Sequence, residues 1–373
     1  MSYREESDAL DADILRVIAA WYRTGRALDD DAFDALALRL FDYQFRYNEP
    51  YARYCAATGR TPPRSWHDVP PVPAGAFKEA VLATFDSATA ALTFETSGTT
   101  AARSGRHYFE TGALYDAALL AGFDRFMLPD GARLRYFNLV PNPDERSQSS
   151  LGYMMRHVGR CRGIGEPEWY LQDDVLAFDE FVAGVESAIA EARPVCIATT
   201  AFALMHVLDA LDERRKQLPL PAGSRVMETG GFKGRTRVVD RSDLYERTGR
   251  AFALPRHAIV AEYGMTELTS QYYDDVLTRG DARSVDARRK HPPPWLRTRV
   301  VGADGNTLPN GTVGALVHVD LANRSSCIAI ATEDLGVQFD PSDGDAGGLM
   351  LIGRERGASL RGCSLDAETL QPR

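Results

Sequence analysis

Four short segments of this sequence combine hydroxyls, glycines, carboxylates and arginine in ways that suit a phosphorylated ligand. In Thr96-Ser97-Gly98-Thr99-Thr100, small hydroxyl residues around a glycine let backbone amides and hydroxyls close on phosphate oxygens. Arg103 or Arg106 would add charge. The same residues also suit an ordinary Ser/Thr turn, and they are not the GxxxxGK[ST] of P-loop ATPases. In Glu262-Tyr263-Gly264-Met265-Thr266-Glu267, Thr266 offers a hydroxyl to a phosphate and Glu267 a hard oxygen ligand for magnesium. Tyr263 offers a flat face for a nucleobase. The alternative is a helix start with Thr266 and Glu267 in its first turn. In Thr332-Glu333-Asp334-Leu335-Gly336 a carboxylate after an apolar run can hold both ribose hydroxyls, or belong to a solvated turn. In Leu351-Ile352-Gly353-Arg354 the arginine can reach a ribose or a phosphate, or lie on the surface.

These segments need a scaffold, and the hydrophobic pattern supplies one. Helical spacing over 8–25 and 31–47 predicts two amphipathic helices. The Pro-rich stretch 62–73 predicts a loop leading to Phe77-Lys78-Glu79. Strands are expected at 91–95, 134–140, 194–199, 224–228 and 257–262, with helices at 112–127, 149–158, 178–191, 201–213 and 241–250. Such alternation implies an α/β architecture with a largely parallel sheet. The carboxyl edge of such a sheet is where ligands bind, and Glu262–Glu267 falls there. After about residue 290 short Val/Leu/Ile-rich segments at 296–302, 313–320, 327–332 and 349–353 predict an antiparallel β subdomain. Turns such as Asp304-Gly305-Asn306 separate them.

Composition limits the classes of function. The 373 residues are 44% hydrophobic and 25% charged, which suits a globular enzyme. A net charge of −9 argues against nucleic acid or an anionic membrane surface as the main partner. The five cysteines are scattered, with no CxxC pair, so neither a disulfide framework nor a zinc site is expected. The acidic N-terminus lacks a secretory apolar run, and no apolar stretch reaches the roughly 18 residues of a membrane span. A soluble, cytoplasmic protein without membrane insertion is expected. Lysines are scarce: only Lys78, Lys216, Lys233 and Lys290.

The order and spacing of the four segments resemble those of the adenylate-forming superfamily: acyl-CoA synthetases, peptide-synthetase adenylation domains and luciferases. There a phosphate loop, an aromatic-Gly-x-Thr-Glu motif, an acidic ribose motif and a Gly-Arg motif follow one another. Further segments are similar to the LuxE-type acyl-protein synthetase branch, from about residue 65 to the C-terminus. These are Val72-Pro73 with Phe77-Lys78, Pro141 to Met155, Glu228-Thr229-Gly230-Gly231-Phe232-Lys233-Gly234 and Arg361-Gly362-Cys363-Ser364-Leu365.

The resemblance implies the large N-terminal domain of that fold: mixed, mostly parallel sheets with helices, plus a small β subdomain. Residues 1–290 would form the α/β core. Residues 291–373 would form the β-rich part and a truncated hinge and tail of the same domain. The usual mobile C-terminal domain and its lysine are expected to be missing. ATP and Mg2+ are the implied cofactors, and a carboxylic acid, by family expectation a fatty acid, is the implied substrate. The implied nucleotide-binding residues are Thr96 to Thr100, Gly230, Gly231, Glu262, Tyr263, Gly264, Met265, Asp334 and Arg354. Thr266 and Glu267 would serve catalysis, with Glu267 on the metal. Lys233 would take part of the missing lysine's role, its alternative being a surface lysine. Cys363 matches the position that LuxE-type proteins acylate, its alternative being a buried structural cysteine. The acceptor stays open between Cys363, an acyl-reductase or carrier-protein partner, coenzyme A and an amine. Aryl and amino acids remain alternative substrates. A non-catalytic subunit docking on an acyl-reductase is a reading of another class. Two departures stand out. The phosphate loop continues as Ala101-Ala102-Arg103 where the family has glycine and soon a lysine, and Glu333 replaces the glycine before Asp334.

Overall fold

A computed structural model of the chain describes residues 2–59, 61–96, 104–172, 175–230, 240–280, 284–341 and 347–354. Twelve strands carry the site. In chain order they are β1 (Leu92–Glu95), β2 (Arg106–Phe109), β3 (Arg135–Leu139), β4 (Glu168–Trp169), β5 (Val195–Thr200), β6 (Arg225–Thr229), β7 (Ile259–Tyr263), β8 (Tyr272–Asp274), β9 (Leu296–Val301), β10 (Val313–Asp320), β11 (Ala329–Phe339) and β12 (Gly348–Arg354). The described residues fall into two compact units. One comprises Met1–Ala121, Met265–Gln271 and His291–Arg373, the other Gly122–Gly264 and Tyr272–Lys290.

The second unit is the parallel one. Its strands lie in the order β4-β3-β5-β6-β7, all parallel, and β8 pairs antiparallel with β7. All five residues of β6 are buried, and Val195 to Thr199 of β5 are buried too. Strands covered on both faces read as near-continuous apolar runs. Helices Phe178–Ala190, Ala201–Glu213 and Arg241–Phe252 alternate with these strands. Leu204, Leu208, Phe181, Val185, Leu244 and Phe252 pack with Ile197, Val226 and Ile259 into one core. Phe137, Leu139, Val140, Met154 and Met155 are buried as well.

The first unit begins with helix Tyr3–Thr24, which Ser2 and Glu5 start with a reciprocal capping box and Gly25 ends in the left-handed conformation. Leu10, Ile14, Ile18 and Trp21 form its buried face. Helix Asp30–Tyr47 follows, capped by Asp29 on the Ala32 amide. A third helix, Glu49–Thr58, was not expected. Asn48 ends the second helix and caps the third, its Oδ1 accepting from the Tyr51 amide, with Pro50 in the first turn. No loop separates the two helices, so no turn signal marks the break.

Also in this unit, β1 and β2 form an antiparallel hairpin, and β9, β10, β11 and β12 form an antiparallel meander. The two-residue strand Val72–Pro73 adds to β11 in parallel, opposite Ile330 and Ala331. The strand of segment 327–332 was expected to end where Thr332-Glu333-Asp334-Leu335-Gly336 begins. Instead β11 runs through that motif. Leu335 packs on the patch of Val301, Ala315, Val317 and Ala331, which gives the motif an inward face and keeps it in the sheet. A Cβ on Gly336 would meet Met350 O at 2.8 Å, so glycine permits the close strand approach there. The register shifts between Leu335 and Gly336, a bulge that locally turns the strand.

His318 of β10 is fully buried, with Nδ1 3.0 Å from the Thr298 hydroxyl. Burial pushes its pKa down to about 4, against about 6.5 in an unfolded chain. Between those values the unfolded chain takes up a proton that the folded chain refuses. This contribution therefore raises stability with rising pH and is lost as pH falls through the window, by up to ~1.4 kcal/mol per pH unit. Asp320, raised to about 6 by burial, acts in the opposite direction. The comparison that isolates the histidine is wild type against His318→Gln. In urea unfolding, the stability difference between them is expected to shift against the wild type by ~1–3 kcal/mol from about pH 7 to about pH 5. A pH-independent difference would reject the assignment.

Candidate active site

The Thr96 segment leaves the β1–β2 hairpin. The Thr96 amide donates to Gly105 O (2.8 Å) and the Gly105 amide to Thr96 Oγ1 (2.9 Å). These two bonds close the neck of the loop on both sides. Ser97, Gly98, Thr99, Thr100 and Arg103 lie outside the described residues. Arg106, one of the two expected phosphate cations, pairs with Glu95 at 2.8 Å. Gly105 lets the short helix Ala76–Glu79 close on this neck. A Cβ there would stand 3.1 Å from the Phe77 carbonyl carbon and 3.2 Å from Lys78 Cγ. Lys78 is exposed, and its place beside the neck was not evident in sequence.

Met265–Gln271 belongs to the same unit. Thr266 and Glu267 form a turn, closed by the Leu268 amide on Met265 O (3.1 Å), and not the first turn of a helix. Side chains from elsewhere hold its backbone. His107 Nδ1 donates to Thr266 O at 2.8 Å, and Asn323 Nδ2 to Glu267 O at 2.9 Å. The Thr269 and Ser270 amides donate to Asp320 Oδ2 at 2.9 and 2.8 Å. The Ser270 hydroxyl donates to Asp320 Oδ1 (2.9 Å) and accepts from Trp295 Nε1 (2.9 Å). Burial pushes the His107 pKa down to about 4, so the ring is neutral near pH 7. Because a carbonyl can only accept, the remaining proton sits on Nδ1.

The third and fourth motifs are brought together in this unit. Asp334 of β11 faces Arg354 of β12 in register, and Arg354 Nε donates to Asp334 Oδ1 at 2.9 Å. Thr332 Oγ1 accepts from the Asp334 amide (3.1 Å) and donates to Leu316 O (3.1 Å). The aspartate thus sits on a fixed stretch of strand. The arginine side chain is 53% exposed, so the pair by itself adds little stability.

In the parallel unit, β6 and β7 end side by side with Thr229 opposite Glu262. The Thr229 hydroxyl donates to the Glu262 carboxylate. Gly230 leaves β6 at φ 82°, a left-handed conformation that glycine adopts without a Cβ clash. Tyr263 is half-buried with its ring 5.4 Å from Tyr272, and Gly264 follows it. Behind the strand end, Lys290 Nζ donates to Ala261 O and Arg288 Nη1 to Ile259 O. Asp274 lies 3.2 Å from Arg288 and 3.9 Å from Lys290. Burial pushes the Lys290 pKa down to about 8, with Asp274 opposing the shift. Glu228 Oε2 accepts from the Tyr245 hydroxyl (2.9 Å), and burial raises its carboxyl pKa. Gly231 and Lys233 lie outside the described residues.

Of the cysteines, Cys363 also lies outside the described residues. Burial pushes the Cys55 and Cys196 thiols up to about 12 and Cys327 well above its ordinary value. None of these three supplies a thiolate near neutral pH. Cys161 is half-buried. Among the described residues no group of three or more His, Cys, Asp or Glu is placed to hold a metal ion, and no helix is long and apolar enough to cross a membrane.

No protein-family model matches the chain. Its sequence is 20% identical over 337 residues to the long-chain-fatty-acid–luciferin-component ligase of Vibrio harveyi, covering 87% of this chain and 84% of that protein. Among solved structures, an open conformation of 2-hydroxyisobutyryl-CoA ligase with 2-HIB-AMP and CoA matches with a TM-score of 0.63. That match has 16% identity and covers 89% of this chain and 76% of that one. ATP-bound MatB from Rhodopseudomonas palustris matches with a TM-score of 0.50 and 14% identity, over 73% of this chain and 49% of that one. The fold is the mixed α/β fold of the N-terminal domain of adenylate-forming ligases. The resemblance to that superfamily and to its LuxE-type branch is borne out, at low identity.

Proposed function

We propose that this chain is an AMP-forming ligase that activates a carboxylic acid, a fatty acid in the first instance, and passes the acyl group to a thiol. The observation that carries the reading is the Asp334–Arg354 pair. Two residues read separately as nucleotide contacts are joined by one 2.9 Å hydrogen bond across neighbouring strands. The similarity to the Vibrio harveyi ligase supports the choice of acid. The test is ATP–pyrophosphate exchange over a panel of carboxylic acids. Long-chain fatty acids are expected to drive exchange, and silence with every acid would reject the reading.

In the first step an oxygen of the acid attacks the α-phosphate of ATP. The new O–P bond forms as the bond to pyrophosphate breaks, leaving a mixed anhydride. Magnesium, arriving with the nucleotide, would offset charge on the departing pyrophosphate. Such an ion commonly takes one or two protein carboxylates besides phosphate oxygens, so Glu267 alone fits this need. The Thr266 hydroxyl and the amides after Thr96 hold phosphate oxygens. Asp334 accepts from the ribose hydroxyls, oriented by Arg354. Tyr263 offers its flat face to the base, and Gly230 at the end of β6 lets the chain approach it; Gly231 and Met265 keep the nucleotide-binding assignment that the motifs imply. The protein's share is positioning and charge stabilisation. In the second step a thiolate attacks the carbonyl and AMP leaves.

The reaction also needs a cation near the α-phosphate. Lys216 pairs with Glu186 at 2.6 Å, and Lys290 is buried on Ala261 O. Lys233, in the Gly-rich segment after β6, is the proposed source. Lys78, whose Cγ lies beside Gly105 at the neck of the phosphate loop, is the alternative source. Lys233→Ala is expected to reduce exchange about 100-fold, in the range for a lost transition-state charge contact, with unchanged folding. Unchanged exchange would remove Lys233 from the reaction, and a matching loss in Lys78→Ala would place the charge at the loop.

A further inference from the structure

We infer that His107, Asp320 and Asn323 are positioning residues for Thr266 and Glu267, acting through the 266–270 turn. Four polar backbone groups of this turn, Thr266 O, Glu267 O, Thr269 N and Ser270 N, lie outside any strand or helix. Each is taken by one of these three side chains at 2.8–2.9 Å. Thr266 itself is half-buried and Glu267 buried. A turn of this kind, left to its own propensities, would sample many conformations. The three side chains fix its path, His107 from β2, Asp320 from the end of β10 and Asn323 from the segment after it.

The holding groups are themselves immobilised. Asp320 and Asn323 stand in a buried polar stretch, Asp320 to Ser326. The Ala322 amide donates to Asp320 Oδ1 (3.0 Å) and the Asn323 amide to Asp320 O (3.0 Å). Gln44 Nε2 donates to Asn323 O (2.8 Å) and Arg324 O (3.1 Å), and its Oε1 accepts from the Ile328 amide (2.9 Å). Arg324 grips Asp11 with two bonds of 2.7 and 2.9 Å. His107 is held edge-on by the Phe77 ring at 5.6 Å. So many buried polar groups on one stretch are costly unless all are satisfied, and two of them, Asp320 and Asn323, reach the five-residue turn. The effect of His107, Asp320 and Asn323 on chemistry is the placement of the Thr266 hydroxyl and the Glu267 carboxylate, and this inference rests on the reading of those two residues given above.

The test compares His107→Asn, whose Nδ2 retains a donor near the place of Nδ1, with His107→Phe, which has none, and adds Asp320→Asn. Peptides spanning 264–271 are expected to exchange amide hydrogen about tenfold faster in His107→Phe and Asp320→Asn, with other segments unchanged. For pyrophosphate exchange, kcat is expected to fall about ten- to a hundredfold in both, with the KM for the acid unchanged. His107→Asn is expected to recover most of it. Two results would overturn the inference: equal kcat in His107→Phe and His107→Asn, or unchanged hydrogen exchange at 264–271. If Asp320→Asn fails to fold, the histidine pair decides alone. A wild type silent with every acid would reject the functional reading, while hydrogen exchange would still decide whether the turn is clamped.

Discussion

Glu267→Gln is expected to lower ATP–pyrophosphate exchange about 100- to 1000-fold while leaving the folded state intact. The substitution keeps size and removes one negative charge. The backbone of Glu267 is held by Asn323, and the neighbouring amides by Asp320, so the turn survives the change. What is lost is the hard anionic oxygen that would complete the shell of a nucleotide-bound magnesium. The loss should appear in kcat, because the charge it opposes develops as pyrophosphate departs. Thermal unfolding alongside the exchange assay checks this. A variant that unfolds earlier would point to a structural carboxylate. One that exchanges at the wild-type rate would remove Glu267 from the metal.

Cys363→Ser is expected to abolish a covalent acyl adduct while leaving pyrophosphate exchange near wild type. Adenylate formation needs no thiol, whereas the second step does. Three of the other four cysteines are buried with their pKa values pushed up, which leaves Cys161 as the internal competitor. Intact mass measurement after incubation with ATP and acid reads the result directly. An adduct that persists in Cys363→Ser and vanishes in Cys161→Ser would move the acceptor. The absence of any adduct, with acyl transfer to added coenzyme A, would make the chain a stand-alone ligase.

Much of the scaffold was legible because its elements carry their own periodicity. Leu10, Ile14 and Ile18 mark a helix face without reference to anything else, and the short apolar runs of β5 and β7, set between helical patterns, read as buried strands. The helix Glu49–Thr58 was hidden because Asn48 serves two helices at once. The strand Arg106–Phe109 was hidden because four residues of alternation mean little until β1 supplies a partner. Asp334 and Arg354 were both readable as candidates, but not as a pair. Their meeting depends on the β11–β12 register and on the bulge at Leu335. The polar stretch Asp320 to Ser326 reads as a surface loop, since Asp, Asn, Arg and Ser are mostly exposed. It is buried here because Gln44, Asp11 and the 266–270 turn supply partners from distant parts of the chain. No local signal encodes those partners, and His107 was missed for the same reason.

The most direct measurement of acyl-adenylate formation uses an acid labelled with 18O in both carboxyl oxygens. Attack of that carboxylate on the α-phosphate places one of its oxygens between the acyl carbon and phosphorus. When a thiol then takes the acyl group, that oxygen leaves with AMP. AMP isolated after turnover should therefore carry one 18O for each acyl group transferred. Label in orthophosphate, or AMP without label, would contradict the proposal.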